Sequence, residues 1–186
     1  MISRRRMVRQ VGMAGMAAFI PVTGIRAAPQ SSLDAKQRRT VEAIVARLIP
    51  TDENGPGAAE AQVARYIERA LSGALRSEKG TYAAGLAGVD ARAQAAHGAA
   101  FAELSAEKQD AVLAAMEQSP FFQMIRAHAL EGMFADPYYG GNAQFAGWDL
   151  IGYPGPRLGV TEEEQKLGAK LRPARQSAYR GSHGGH

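Results

Sequence analysis

The chain has 186 residues, 46% of them hydrophobic and 22% charged, with a formal net charge of +4 and no cysteine. Without cysteine the chain makes no disulfide, thiolate zinc site, iron–sulfur cluster or covalent c-type haem link of its own. The positive charge is local: Arg4, Arg5, Arg6, Arg9 and Arg26 fall in the first 28 residues, which hold no Asp or Glu, and without those five, 17 basic residues face 18 acidic ones, a net of −1. A body so near neutrality has no electrostatic footprint for nucleic acid or for an anionic membrane.

Residues 1–28 read as an export signal, with Arg4–Arg9 as the basic region and Val11–Val22 as the apolar stretch. Ser3-Arg4-Arg5-Arg6-Met7-Val8 fits the twin-arginine pattern of a serine, two arginines, any residue and two apolar ones, which makes Arg4 and Arg5 the signal residues. The apolar part is rich in Gly and Ala, hence weakly hydrophobic, and Arg26 near its end also suits a signal routed away from the general secretory channel. The competing reading is a membrane anchor. Gln10–Ile25 is uncharged, but its 16 residues fall short of the ~20 needed to span a bilayer as a helix. The expected organisation is a signal over 1–28, one helical domain over 29–175, and a polar, Gly- and Ser-bearing, disordered tail over 176–186.

Helical periodicity dominates the body. Val41, Ile44, Val45, Leu48 and Ile49 form one apolar stripe in a helix over Leu33–Ile49, ended by Pro50. Thr51–Gly57 (TDENGPG) is a turn-rich connector. Its Asp52, Asn54 and Gly57 hint at a calcium loop, but Pro56 and Val63 stand where such a loop needs oxygen ligands. A second helix is expected over Ala58–Leu75, with Val63, Ile67, Ala70, Leu71 and Ala74 inward. Ser77–Ala102 suggests an interrupted helix: Tyr82, Leu86 and Val89 share a face, but Gly80, Gly85, Gly88 and Gly98 weaken it. Ser105 caps a helix to about Gln118 through Val112, Leu113 and Met116. Ser119-Pro120 opens another through Phe122, Ile125, Ala129 and Met133. Thr161-Glu162-Glu163-Glu164 reads as a capping box for a short helix ending near Arg172-Pro173. No strand-period alternation stands out, so the expected fold is all-α: a small irregular helical bundle with a long loop packed against it.

That loop is Glu131–Pro156, EGMFADPYYGGNAQFAGWDLIGYPGP. It holds the only tryptophan, Trp148, with Phe134, Tyr138, Tyr139, Phe145 and Tyr153 set among six glycines. Asp136-Pro137 and Pro154-Gly155 are turn formers, so the stretch reads as one long ordered loop, neither helix nor strand ladder. Loops of this length in compact domains are functional or disordered, and the aromatic content argues for order. Tyr and Trp are frequent interface anchors, which points to a partner surface; a lid folded back on the helices is the alternative.

A catalytic constellation is hard to assemble. His128 and Glu131 lie three apart on one helical face, as half of a carboxylate-bridged metal site would, but no second pair exists. His97 lies in an Ala-rich helix, and His183 and His186 sit in the tail. Asp136 and Asp149 could serve as acid or base, or simply cap turns. No phosphate-binding glycine loop and no Gly-x-Ser-x-Gly elbow is present.

Asp136-Pro137-Tyr138-Tyr139-Gly140-Gly141-Asn142, followed by Gly147-Trp148 and Ile151-Gly152-Tyr153-Pro154-Gly155, resembles the signature of the gluconate 2-dehydrogenase subunit 3 family. Leu48-Ile49-Pro50-Thr51-Asp52, Gly55-Pro56-Gly57-Ala58 and Leu130-Glu131-Gly132-Met133-Phe134 fit the same pattern, and the resemblance covers about Val41–Pro156. Tyr138 departs from it, standing where an aliphatic residue is common. The resemblance implies a non-catalytic small subunit of a three-subunit, membrane-associated sugar or sugar-acid dehydrogenase. In such complexes a flavoprotein large subunit of the glucose-methanol-choline oxidoreductase fold carries FAD, and a multihaem cytochrome c subunit, with haem c, takes the electrons. The small subunit holds no cofactor. It carries the twin-arginine signal that brings the folded flavoprotein through the twin-arginine translocation machinery to the periplasm, and it meets the membrane only through the complex. The motif residues Asp136, Tyr138, Tyr139, Gly140, Gly141, Asn142, Trp148, Tyr153 and Pro154 are then the expected partner interface. The alternative is a stand-alone periplasmic enzyme or ligand-binding domain using His128, Glu131, Asp136 and Trp148.

Overall fold

The computed structural model describes residues 32–169 and 172–179. The expected signal, with Arg4 and Arg5, and residues 180–186 of the expected tail lie outside the described residues. Six α-helices follow in order: α1 Ala35–Leu48, α2 Val63–Ser72, α3 Lys79–His97, α4 Ala106–Ala114, α5 Pro120–Phe134 and α6 Ala146–Leu150. Among the described residues there is no strand, only an isolated bridge between Asp52 and Gly55. The fold is the expected all-α bundle, and no described helix is long and apolar enough to cross a membrane.

Helix α1 opens on a reciprocal capping box. The Asp34 carboxylate accepts from the Gln37 N–H at 2.8 Å, and the Gln37 side-chain oxygen accepts from the Asp34 N–H at 3.0 Å. Val41, Ile44 and Val45 are buried, while Leu48 and Ile49 sit at the margin, where the chain turns away at Pro50. Asp52 is used within that turn, its carboxylate accepting from the Asn54 N–H at 2.8 Å.

Helix α2 starts later than its pattern suggests. Ala58–Gln62 forms turns because the connector folds back on the end of α1: the Ala58 N–H donates to the Ile49 carbonyl at 2.9 Å, and a Cβ on Gly57 would lie 2.5 Å from that same oxygen. The Glu60 carboxylate fixes the corner, accepting from the Thr51 hydroxyl at 2.7 Å and the Gly57 N–H at 3.1 Å. Of the expected stripe, Val63, Ile67 and Leu71 are buried; Ala74 falls beyond the helix end and is exposed.

The expected interruption in the third helix is absent. Helix α3 runs unbroken through Gly80, Gly85 and Gly88, burying Tyr82, Leu86, Val89 and Ala93, and stops at Gly98 with φ +73°. Gly85 is there for contact: a Cβ on it would lie 2.1 Å from the Phe121 ring. That ring also meets Tyr82 edge-on, with centroids 5.8 Å apart. Helix α4 stops at Ala114, before the expected Gln118, and the Ser105 hydroxyl at its start caps no backbone N–H. Helix α5 begins as expected, the Ser119 hydroxyl accepting from the Phe122 N–H at 3.2 Å, and buries Phe122, Ile125, Ala129 and Met133. Helix α2 packs on α1 and α5, and α3 on α4, around one core drawn from all five long helices.

The box at Thr161 and Glu164 forms, with the Thr161 N–H donating to the Glu164 carboxylate at 3.0 Å, but the expected helix does not follow. One 3-10 turn, Glu163–Gln165, is all that forms up to residue 169; with Leu167 wholly exposed, there is no buried face to stabilise more. Residues 176–179, the start of the expected disordered tail, run with 172–175 across the outside of the aromatic loop and bond to it.

The glycines of α3 give a test with opposite signs. Gly85→Ala should destabilise by about 1–3 kcal/mol through overpacking against Phe121. Gly88→Ala, whose Cβ would meet only the Arg92 guanidinium at 3.6 Å, should stabilise by about 0.5–1 kcal/mol. Thermal unfolding of both variants checks the signs.

Candidate functional site

The aromatic loop begins where α5 leaves its last carbonyls without helical partners. The loop supplies them. The Asn142 N–H donates to the Gly132 carbonyl at 2.8 Å, the Trp148 indole N–H to that of Phe134 at 2.8 Å, and the Asn142 side-chain amide to that of Ala135 at 2.9 Å. Asn142, fully buried, also accepts from the Gly147 N–H at 2.9 Å, so one side chain joins the helix end to both limbs of the loop. Asp136 makes the turn out of α5: its Oδ1 accepts from the Tyr138 N–H at 2.9 Å, starting the 3-10 turn Pro137–Tyr139.

This seating needs bare backbone. A Cβ on Gly141 would lie 2.1 Å from the Gly132 oxygen, and one on Gly147 would lie 1.9 Å from the Met133 oxygen. Gly132 itself packs against Val63 and Tyr66 of α2, so α2, α5 and the loop stack at a point with no room for side chains. Between the two contacts the backbone turns left-handed at Asn142 (φ 45°), Gln144 (φ 55°) and Phe145 (φ 65°). Each such residue costs on the order of 1 kcal/mol or more, so the surrounding contacts must hold the conformation.

The loop is not wholly irregular: α6, five residues long, lies inside it and carries Trp148. The indole is 5% exposed and meets Phe145 and, edge-on, Tyr153, with centroids 5.5 and 5.0 Å away. Of the expected interface residues, then, Asn142 and Trp148 face inward and set the loop's shape; Gly140 closes the turn at φ 101°, and Gly141 touches α5. Tyr139 and Tyr153 are exposed, Tyr138 is half-buried under Arg69, whose guanidinium lies 5.6 Å from the ring centre, and Asp136 and Pro154 lie along the outer face. The sequence reading missed the exposed Leu150 and Ile151 beside them. The first falls at the end of α6, and their adjacency to Trp148 was the available signal.

His128 and Glu131 do not act together. The buried His128 shares a hydrogen bond of 2.8 Å with the Tyr82 hydroxyl through Nδ1, whereas the Glu131 carboxylate accepts from the Tyr66 hydroxyl at 2.8 Å. Burial first, then the hydrogen bond to Glu131 and its charge, raise the Tyr66 phenol above its usual range, and burial does the same to Tyr82, so both phenols stay neutral. An open groove of about 570 Å³ lies beside Glu131, lined by Tyr66, Arg69, Leu75 and Tyr139. Among the described residues no three His, Asp or Glu side chains gather to hold a metal.

Substitution at the seat should free the loop and leave the bundle folded. Gly141→Ala or Gly147→Ala is expected to keep the far-UV helical signal while opening residues 136–155 to limited proteolysis. Asn142→Ala, which leaves the Gly147 N–H and the Ala135 carbonyl unpaired, should cost about 2–4 kcal/mol by urea unfolding.

No curated protein and no solved structure matches the chain. A family profile does. It spans residues 35–155, from the first residue of α1 through the last glycine of the aromatic loop, and its description is gluconate 2-dehydrogenase subunit 3. With most of the chain covered, the helices and the loop seated on them included, the protein belongs to the gluconate 2-dehydrogenase subunit 3 family.

Proposed function

We propose that the chain is the non-catalytic small subunit of a periplasmic, FAD-dependent sugar or sugar-acid dehydrogenase. It carries the twin-arginine signal for a flavoprotein large subunit and keeps that partner assembled through the outer face of the aromatic loop. The observation that carries the reading is the family match, which runs through the loop as well as the bundle. The chemistry of the chain agrees with it. His128 and Glu131 are each engaged by a different tyrosine, and the residues that seat the loop are spent on its shape. The outer face offers Leu150, Ile151 and Tyr153, 39%, 59% and 43% exposed, as an apolar patch next to the aromatic turn. Desolvating such a patch is a usual source of interface affinity. A chain without cysteine needs no oxidising compartment to fold, which suits export of a folded complex. In this complex FAD resides in the large subunit, and haem c in the cytochrome subunit that removes the electrons.

The test is to tag the chain in its native host, recover it from the periplasm and record the flavin spectrum of what co-purifies. A roughly stoichiometric FAD-bearing partner is the expected result; a lone, colourless protein would sink the proposal. Ile151→Ser with Tyr153→Ser should weaken retention of the flavoprotein by ~2–4 kcal/mol, read as its loss on dilution, with the helical signal intact. Replacing Arg4 and Arg5 by Lys should leave both subunits in the cytoplasm, measured by dehydrogenase activity in the cell fractions.

A further inference from the structure

Residues 172–179 lie across the outer face of the aromatic loop as an extended strap. The Arg175 guanidinium donates to the Asp149 carboxylate at 2.7 Å and to the Gln144 carbonyl at 3.3 Å, and lies 6.0 Å from the Phe145 ring centre. The Ala178 N–H donates to Asp136 Oδ2 at 2.8 Å, the oxygen left over from the Tyr138 turn. The Tyr179 ring packs on Tyr138 and Tyr139, with centroids 4.7 and 5.6 Å away, and its hydroxyl accepts from that of Tyr139 at 2.8 Å. The Ala174 N–H and the Gln176 side-chain amide donate to the carbonyls of Pro154 and Pro156.

What lies beneath the strap is mostly hydrogen-bond acceptor. The strap meets two carboxylates, three carbonyls and two tyrosine faces, and the prolines at 154 and 156 bring no N–H of their own. The Tyr139 hydroxyl and the Arg157 guanidinium, which donates to the Arg172 carbonyl, are donors facing it. An occupant that matches these acceptors brings a cation at one end, an aromatic ring at the other, and backbone N–H groups between. The strap provides these with the sequence Arg175-Gln176-Ser177-Ala178-Tyr179.

The attachment is also weakly held. The Arg175 and Asp149 side chains are 55% and 44% exposed, and exposed pairs contribute little. Arg175 sits at φ 31°, a strained conformation that release would relax. The helix end does not depend on the strap, since the open carbonyls of α5 are met from within the loop. The loop through Gly155 lies inside the matched family region and the strap lies beyond it.

We propose that the aromatic loop is a binding surface for an extended peptide segment presenting an arginine and, four residues later, a tyrosine, and that Arg175–Tyr179 is its built-in, displaceable occupant. The inference rests on the reading of the loop as a partner surface. It specifies the partner segment that would exchange with the strap.

The probe is a synthetic peptide of residues 172–179, RPARQSAY, labelled with fluorescein at its N terminus and followed by anisotropy. A variant lacking residues 172–186 should bind it saturably. The full chain should bind at least about tenfold more weakly, because the tethered strap competes at a high effective concentration. Peptides carrying Arg175→Ala or Tyr179→Ala should lose that binding. Absence of saturable binding to a truncated variant that keeps its helical signal would overturn the proposal, as would equal binding by the full chain. If the truncation does not fold, the full chain carrying both Arg175→Ala and Tyr179→Ala replaces it; this variant should bind the wild-type peptide more tightly than the parent, and equal affinity overturns the idea. Peptide failure with the flavoprotein still retained rejects this inference alone. Peptide binding without any flavoprotein rejects the subunit reading alone.

Discussion

The end of α5 is the constraint on which the loop depends. A helix that stops inside a protein leaves carbonyls that water cannot reach, and here they are met by a loop of the same chain, not by a simple glycine cap. One buried asparagine and one indole N–H meet three of those carbonyls, and the glycines at 141 and 147 let the backbone come close enough for this to happen. Once the loop is pinned there, its left-handed residues, the placement of Trp148 and the outward set of Tyr139, Ile151 and Tyr153 follow. The helix end and the recognition surface are two sides of one structure.

Much of the bundle was legible in the sequence because period and caps reported the same physics. The stripe Val41, Ile44, Val45, the face Tyr82, Leu86, Val89 and the Ser119-Pro120 start all lie where their spacing put them. The misreadings share a cause: a local signal met a tertiary contact. Gly85 looks like a helix breaker, but it is the hollow that receives Phe121. Ala58–Gln62 has helical composition, but the return to Ile49 claims its first N–H. Thr161 and Glu164 form their box, but no core waits beyond them to make a helix worthwhile.

The loop was legible as a place but less so as a geometry. Its density of aromatics and glycines marked it out, and the motif residues carried the family resemblance, which the profile over 35–155 bears out. Sequence alone could not sort the aromatics by direction. Trp148, the expected anchor, and Asn142 turned inward because each has backbone polar groups to satisfy, while Leu150 and Ile151, outside the expected interface, turned outward. The His128–Glu131 spacing, so suggestive of paired chemistry, was resolved by two tyrosines on different helices.

The position of the lone indole has an experimental consequence. Trp148 stands 5% exposed on the loop, while nearly all the ordered helix that circular dichroism detects lies in α1 to α5. Intrinsic emission and ellipticity therefore observe different parts of the same molecule with no label added. If the loop is merely an ornament on the bundle, the two melting curves will separate. If seat and bundle form one cooperative unit, they will superimpose, and the calorimetric and van't Hoff enthalpies will agree. The chain thus contains its own two-channel reporter of whether its recognition surface and its scaffold fold as one.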